Sequence, residues 1–246
     1  MSKFADFAAL HVAGNPLVLF NIWDAGSARI VAETGARAIA TGSHPVADAL
    51  GFADGERVPL DLVIANLERV VAAVDLPVTL DFESGYATDP ARTAQNVARV
   101  QAAGAVGINF EDQVIGGQGL HAIDAQADRI AAIRAATGAD FFVNARTDAF
   151  MKATEATDRS VIDEAIARGN AYAAAGASGF FIPGLRDPAL VAEVCRGVPL
   201  PVNFIAPPGS YDKAAVAAAG VARISHGPFP LRIAMAALKD AAAAAL

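Results

Sequence analysis

Eight short apolar runs, rich in β-branched and aromatic residues, recur along the whole sequence, and the stretches between them have helical spacing. The runs cover residues 17–23, 36–42, 77–83, 104–112, 140–148, 176–183, 201–206 and 222–227. The intervening segments are Ala-rich, as where Ile64, Leu67, Val70, Val71 and Val74 recur at helical intervals. Near-continuous apolar strands alternating with helices describe a parallel sheet covered on both faces. Eight such units predict one α/β domain over residues 1–246, a closed (β/α)8 or TIM barrel rather than an open doubly wound sheet.

The punctuation agrees. Asp61, Asp89 before Pro90, Asp187 before Pro188, and Asp212 can each open a helix. Gly35, Gly104, Gly176 and Gly220 can each close one. A weak repeat of helix end, Gly and buried strand runs through ETGARAIATG, QAAGAVGINF, AAAGASGFFIPG and AAAGVARISHG.

Composition narrows the partners. A hydrophobic share of 54% supplies a sizeable core. A net charge of −7 without a basic run argues against nucleic acid and anionic membranes. The longest apolar stretch, 171–185, is broken by Gly176, Gly179, Pro183 and Gly184, short of the roughly 18 residues that span a bilayer. The opening MSKFADF has no apolar signal core, so a cytoplasmic protein is expected. The single cysteine, Cys195, lies among Leu190, Val191 and Val194 and reads as a packing residue.

In such a barrel the chemistry lies at the carboxyl ends of the strands. Those ends carry Asp24, Thr41-Gly42-Ser43, Asp81, Glu83, Glu111, Asp112, Arg146, Asp148 and His226, whereas the strand starts carry almost no charge. Charges are costly to bury unless paired or metal-bound. The two-residue period of a strand puts Asp81 and Glu83 on one side. With Glu111 they make three carboxylates at the mouth, more than Arg146 neutralises, and a hard divalent cation would balance them. Asp112, of opposite parity, reads as a cap for the following helix. Arg146 reads as a substrate-binding group, with pairing to Asp148 the alternative. His11 reads as helical surface, and His44, His121 and His226 fall in mouth-side loops. No G-x-S-x-G, P-loop, CxxC or HExxH is present, so nucleophilic-serine, NTPase and zinc readings have no support.

The ordered set Asp81-Phe82-Glu83-Ser84-Gly85-Tyr86, Glu111-Asp112 and Ala145-Arg146-Thr147-Asp148-Ala149 resembles the isocitrate lyase/phosphoenolpyruvate mutase superfamily. The stretches 24–29, 41–43, 50–54 and 165–178 extend the resemblance to roughly residues 15–235. It implies an Mg2+ ion, with Mn2+ the alternative, bound most directly by Asp81. Glu83, Glu111 and Asp54 would hold its waters or complete its shell. Thr41, Gly42, Ser43, Arg146 and Asn203 would bind a small carboxylate substrate, with Asp54, Arg146 and His121 as catalytic groups. It also implies a homodimer or homotetramer that swaps its last helix.

The chain departs from that pattern in three places. Glu83 stands where the family carries Asp. Residues 114–121 hold neither the Lys nor the Cys of the lyase loop, leaving His121 as the loop's one group titrating near neutrality. Pro183 stands where a mutase has His. The expectation is therefore an Mg2+-dependent lyase-class enzyme for a small 2-oxo or 2-hydroxy acid, decarboxylation included. Phosphonopyruvate hydrolase- or mutase-like P–C chemistry and a non-catalytic 2-oxo acid binder are the alternatives.

Overall fold

The computed structural model describes residues 2–246. Its strands are β1 (Leu17–Leu19), β2 (Ile39–Ala40), β3 (Val78–Asp81), β4 (Gly107–Glu111), β5 (Phe142–Arg146), β6 (Gly179–Phe181), β7 (Val202–Ile205) and β8 (Arg223–Ser225). Each lies inside one of the eight apolar runs. All pairs are parallel, β1 joins β8, and the sheet runs round to β2. Just past β1, Ile22 bridges Thr41 in parallel and closes the barrel.

Helix α1 (Lys3–Ala9) precedes the barrel. Around it lie α2 (Ala25–Glu33), α3 (Ser43–Ala49), α4 (Leu60–Ala73), α5 (Pro90–Ala102), α6 (Ile123–Thr137), α7 (Ala149–Lys152), α8 (Arg159–Ala174), α9 (Pro188–Gly197), α10 (Lys213–Ala218) and α11 (Phe229–Ala245). The carboxylates of Asp89, Asp187 and Asp212 accept the first N–H groups of α5, α9 and α10. Asp61 does not cap: Pro59 occupies that position, and Asp61 in the first turn of α4 receives Arg99 at 2.6 Å. Gly35, Gly104, Gly176 and Gly220 follow helix ends at φ of 84–99°, the left-handed backbone that favours Gly.

Outward-facing Leu80, Ile108, Phe110, Val143 and Phe180 pack beneath the helices. A second cluster, of Phe7, Leu17, Leu19, Ala38, Ala40 and Phe142, plugs the amino end of the barrel. His11 belongs with this plug and not with the surface. It stacks on Phe142 with ring centroids 4.2 Å apart, and its Nδ1 lies 2.9 Å from the Phe7 carbonyl. The chain leaving α1 turns inward, so the residue beyond the helix is covered.

Above the plug the interior is polar. Thr79, Asn109, Asn144, Asn203 and Arg223 are all buried there, at positions usually filled by Val, Ile and Leu. Arg223 opens β8, an exception to the expectation of uncharged strand starts. Asp112 also differs from expectation. It accepts from Asp148 N at 2.9 Å, Tyr172 Oη at 2.8 Å and Arg168 at 3.2 Å. It thus ties β4 to the end of β5 and to α8, while Ala122 fills the N-cap of α6. Cys195 is a partly buried packing residue, as expected, and burial raises its thiol to about 11. No helix among the described residues is long and apolar enough to cross a membrane.

Candidate active site

A cavity of about 290 Å3 opens at the carboxyl end of the barrel. Its wall includes Gly42, Ser43, His44, Asp54, Asp81, Asn109, Arg146, Arg186 and Ser225. The chain leaves β2 through Thr41 and Gly42 and enters α3 at Ser43. A Cβ on Gly42 would sit 3.0 Å from Pro45 Cδ, so this tight entry favours glycine. The entry grips Asp81 from two sides: Thr41 Oγ1 accepts Asp81 N at 2.9 Å, and Ser43 N donates to Asp81 Oδ2 at 3.1 Å. Asp81 Oδ1 is buried without a partner. Burial raises the Asp81 pKa, against the attraction of Arg146 and the Ser43 N–H.

Glu83 lies beyond the regular strand, although it borders a small cavity together with Asp81. Strand β3 ends at Asp81, and Glu83 adopts left-handed backbone at φ 49°, so alternation stops before reaching it. Its carboxylate turns to Glu56 N at 2.8 Å. Burial, and then the charge of Asp54, raise it to about 8. Glu111 meets Arg146 Nη1 at 2.7 Å, and its pKa is raised by burial against that attraction. The same guanidinium forks onto Asp148 through Nε and Nη2, at 2.6 and 2.9 Å. Arg146 therefore pairs with Asp148 and also faces the cavity; the two readings are not exclusive.

Among the described residues no three carboxylate, imidazole or thiol groups converge as ligands. Glu83 accepts the Glu56 N–H and Glu111 pairs with Arg146, which leaves Asp81 as the carboxylate with an unpartnered buried oxygen. The residues do fit a cation held by Asp81 alone among them, with the others reached through water. Asp81 Oδ1 is orphaned, the charges of Asp54 and Asp81 raise the Glu83 carboxyl, and those of Asp148, Asp81 and Glu83 raise Glu111. A hard cation that keeps several waters suits one direct carboxylate and a surrounding surplus of negative charge.

The other candidates divide. Gly42, Ser43 and Asp54 line the cavity as expected, although the N–H of Gly42 goes to Ile22 O and that of Ser43 to Asp81. Thr41 acts on Asp81 and does not line the cavity. Asn203 sits one layer lower, its amide engaged by Asn144, Ser225 and backbone carbonyls. His121 is also away from the cavity. Its N–H bonds Asp112 O at 2.8 Å, and burial with the charges of Arg129 and Arg168 lowers its pKa. The loop that carries it folds on itself, Gln113 bridging Leu120 and Val114 N donating to Gly119 O. His226 is buried at the end of β8, with Nδ1 2.8 Å from Ala206 O, whereas His44 reaches the wall.

Sequence reasoning missed Asn21, Asn109, Arg186 and Arg223. Asn21 joins three strand ends by accepting from His226 N and Gly227 N and donating to Thr41 O. Asn109 lies two residues before Glu111, so the period-two argument already used for charges would have found it.

A closed (β/α)8 barrel whose acidic and basic side chains meet at the carboxyl-end cavity defines a barrel enzyme. The chain belongs to the phosphoenolpyruvate mutase/isocitrate lyase superfamily: the family model described as phosphoenolpyruvate phosphomutase matches residues 7–246. A crystal structure from Burkholderia cenocepacia J2315, of a protein provisionally described as a phosphonomutase, superposes with a TM-score of 0.95. It is 50% identical and covers 98% of each chain. The 2-methylisocitrate lyase of Escherichia coli K12 is 32% identical over 205 residues, 80% of this chain and 67% of that relative. The oxaloacetate decarboxylase of Pseudomonas savastanoi pv. phaseolicola 1448A is 30% identical over 229 residues, 90% of this chain and 77% of that relative.

Proposed function

We propose that the protein is a divalent-cation-dependent lyase, with Mg2+ as the cation, that decarboxylates a short 2-oxo acid of the oxaloacetate type. The observation that carries this reading is the unpartnered Asp81 Oδ1 beside a cavity of about 290 Å3. That space suits an acid of a few carbons. Its wall has no thiol, and its one imidazole is that of His44.

When bound, the cation supplies positive charge to stabilise the electrons left by bond cleavage. The chain's own residues do the rest. Thr41 and Ser43 fix the Asp81 carboxylate through its backbone and Oδ2, leaving Oδ1 to hold the cation. Glu83, Glu111 and Asp54 surround it. Arg146, locked by Glu111 and Asp148, presents a fixed guanidinium to the substrate carboxylate. Cleavage of a 2-hydroxy acid needs a group to take the hydroxyl proton and another to protonate the departing carbon. Loss of CO2 from a 2-oxo acid leaves the electron pair on the adjacent carbon, and water can supply the one proton required. The cavity wall is better equipped for the second task.

The 50% identical phosphonomutase-like relative favours P–C chemistry as the second reading. Incubation with Mg2+ and either oxaloacetate or phosphonopyruvate, followed by mass spectrometry and 31P detection, separates them. Pyruvate and CO2 support the first reading. Phosphate or a rearranged phosphate ester from phosphonopyruvate alone replaces it with the second.

The assembly belongs to the same proposal. Helix α11 has 17 residues, of which Pro230 and Leu231 are buried. Ile233, Met235 and Leu238 are 53%, 44% and 62% exposed. Helices in proteins draw most of their stability from packing an apolar face. A second copy that receives this helix would cover the apolar residues, as the family resemblance implies.

A further inference from the structure

We propose that Arg223 is a positioning residue that orients the Asn109 amide as a fixed hydrogen-bond donor to the anionic ligand of the mouth cavity. The proposal rests on the 2-oxo acid reading for the identity of the ligand, and on the barrel interior for the device itself.

Arg223 is fully buried near the middle of the barrel. No carboxylate forms an ion pair with it among the described residues. Its Nη2 lies 3.0 Å from Asn109 Oδ1 and its Nε 3.3 Å from Ser225 Oγ, while Nη1 has no partner. A buried cation without a counter-ion is expensive, and an apolar side chain of similar volume would serve packing better. What Arg223 does accomplish is orientation. A guanidinium only donates hydrogen bonds, so the Asn109 atom that faces it has to be the oxygen.

Asn144 Nδ2 donates to the same Oδ1 at 2.9 Å and also to Asn203 Oδ1 at 3.0 Å. Asn203 Nδ2 in turn reaches Ser225 Oγ at 3.2 Å. One donor-only group thus sets the orientation of a ring of amides. With Oδ1 doubly held from below, the two N–H groups of Asn109 Nδ2 are left over, and no protein group among the described residues accepts them. Asn109 lines the cavity, and its strand partner in register is Asp81. The free N–H groups therefore sit beside the carboxylate that would hold the cation, where an oxygen of a carboxylate or enolate would lie. A donor held in place before the ligand arrives needs no reorganisation when charge develops there.

The test uses oxalate, a planar dicarboxylate, as the probe. In protein labelled with 15N-asparagine, the side-chain amide of Asn109, assigned by its absence in Asn109→Ala, should shift on adding oxalate with excess Mg2+. Calorimetry should give about tenfold weaker oxalate binding for Asn109→Ala, the loss expected for one charge-assisted hydrogen bond. Arg223→Met should weaken binding to a similar degree. The double variant should be no weaker than the worse single one, because Arg223 acts through Asn109. Before any ligand is added, Arg223→Met should move the Asn109 signal and speed its hydrogen exchange. If Arg223→Met does not fold, Arg223→Lys, which keeps one donor to Oδ1, should give the same changes at smaller size. Oxalate binding without an Asn109 shift, additive losses, or an unchanged Asn109 signal in the ligand-free variant would each overturn the proposal. Failure of the wild-type protein to bind oxalate would instead count against the 2-oxo acid reading, and the ligand-free spectra would still decide the role of Arg223.

Discussion

Asp81 is held by Thr41 and Ser43 with one oxygen left over, and that single atom carries much of the functional reading. Asp81→Ala should weaken Mg2+ binding by at least about a hundredfold, the upper end of what even outer-shell partners of metal sites contribute. It should leave thermal stability unchanged or raised, since it also relieves carboxylate repulsion. Titration calorimetry checks the first outcome and a thermal melt the second; equal Mg2+ affinity would remove Asp81 as the ligand. Arg146→Lys should weaken oxalate binding roughly 10- to 100-fold, as a lost charged hydrogen bond of about 1.5–3 kcal/mol requires. An ammonium cannot span both oxygens of Asp148 while also meeting Glu111. Unchanged affinity would confine Arg146 to a structural role. At this scale the sequence was informative where chemistry follows residue type at a strand end, as with Asp81, Glu111 and Arg146. It did not reveal backbone direction, as at Glu83, whose left-handed φ belongs to the turn after β3 and not to the strand pattern. Asn109 was legible only through the two-residue period that it shares with Glu111, and Arg223 was not, because a lone interior Arg carries no motif.

Whole elements were easier to read. Every strand lies within its apolar run, and Asp89, Asp187 and Asp212 open their helices, because local capping chemistry and hydrophobic period are both written in adjacent residues. The chain around α1 was not legible. Its role as the barrel plug depends on where the strands leave an opening, which is a tertiary fact. This element has a pH signature. Burial lowers His11 from 6.5 to about 3, with Arg223 adding to the effect. Above pH 6.5 His11 is neutral in both the folded and unfolded states. As pH falls below that value, the unfolded chain gains a proton that the folded chain refuses. Stability should then fall by up to about 1.4 kcal/mol per pH unit from this group. Urea denaturation at pH 6.5 and pH 5 should show His11→Phe gaining roughly 2 kcal/mol relative to wild type. A difference independent of pH would mean that His11 takes up its proton as readily in the folded as in the unfolded chain.

For the whole molecule, eight repeated units predicted a closed barrel, and the structure closes it through Ile22 and Thr41. Repetition makes such a fold legible, since each unit restates the same strand-and-helix pattern. The cavity was less legible, because it depends on which of several strand-end residues face one another. Helix α11 was expected to swap between copies, and its exposed Ile233, Met235 and Leu238 support that proposal. Ile233→Lys with Leu238→Lys should lower the assembly from dimer or tetramer towards monomer in sedimentation velocity. A monomeric wild-type protein would contradict it.

Decarboxylation of a 2-oxo acid can be set against cleavage of 2-hydroxy acids in one substrate comparison. Wild-type protein with Mg2+ is given oxaloacetate, isocitrate or methylisocitrate, with Asp81→Ala protein subtracting the metal's own background. The expected result is enzyme-dependent release of pyruvate and CO2 from oxaloacetate, abolished by chelation of the cation, with no glyoxylate from isocitrate and no pyruvate from methylisocitrate. Turnover of either 2-hydroxy acid on the order of 10 per second, with oxaloacetate left at its background rate, would contradict it.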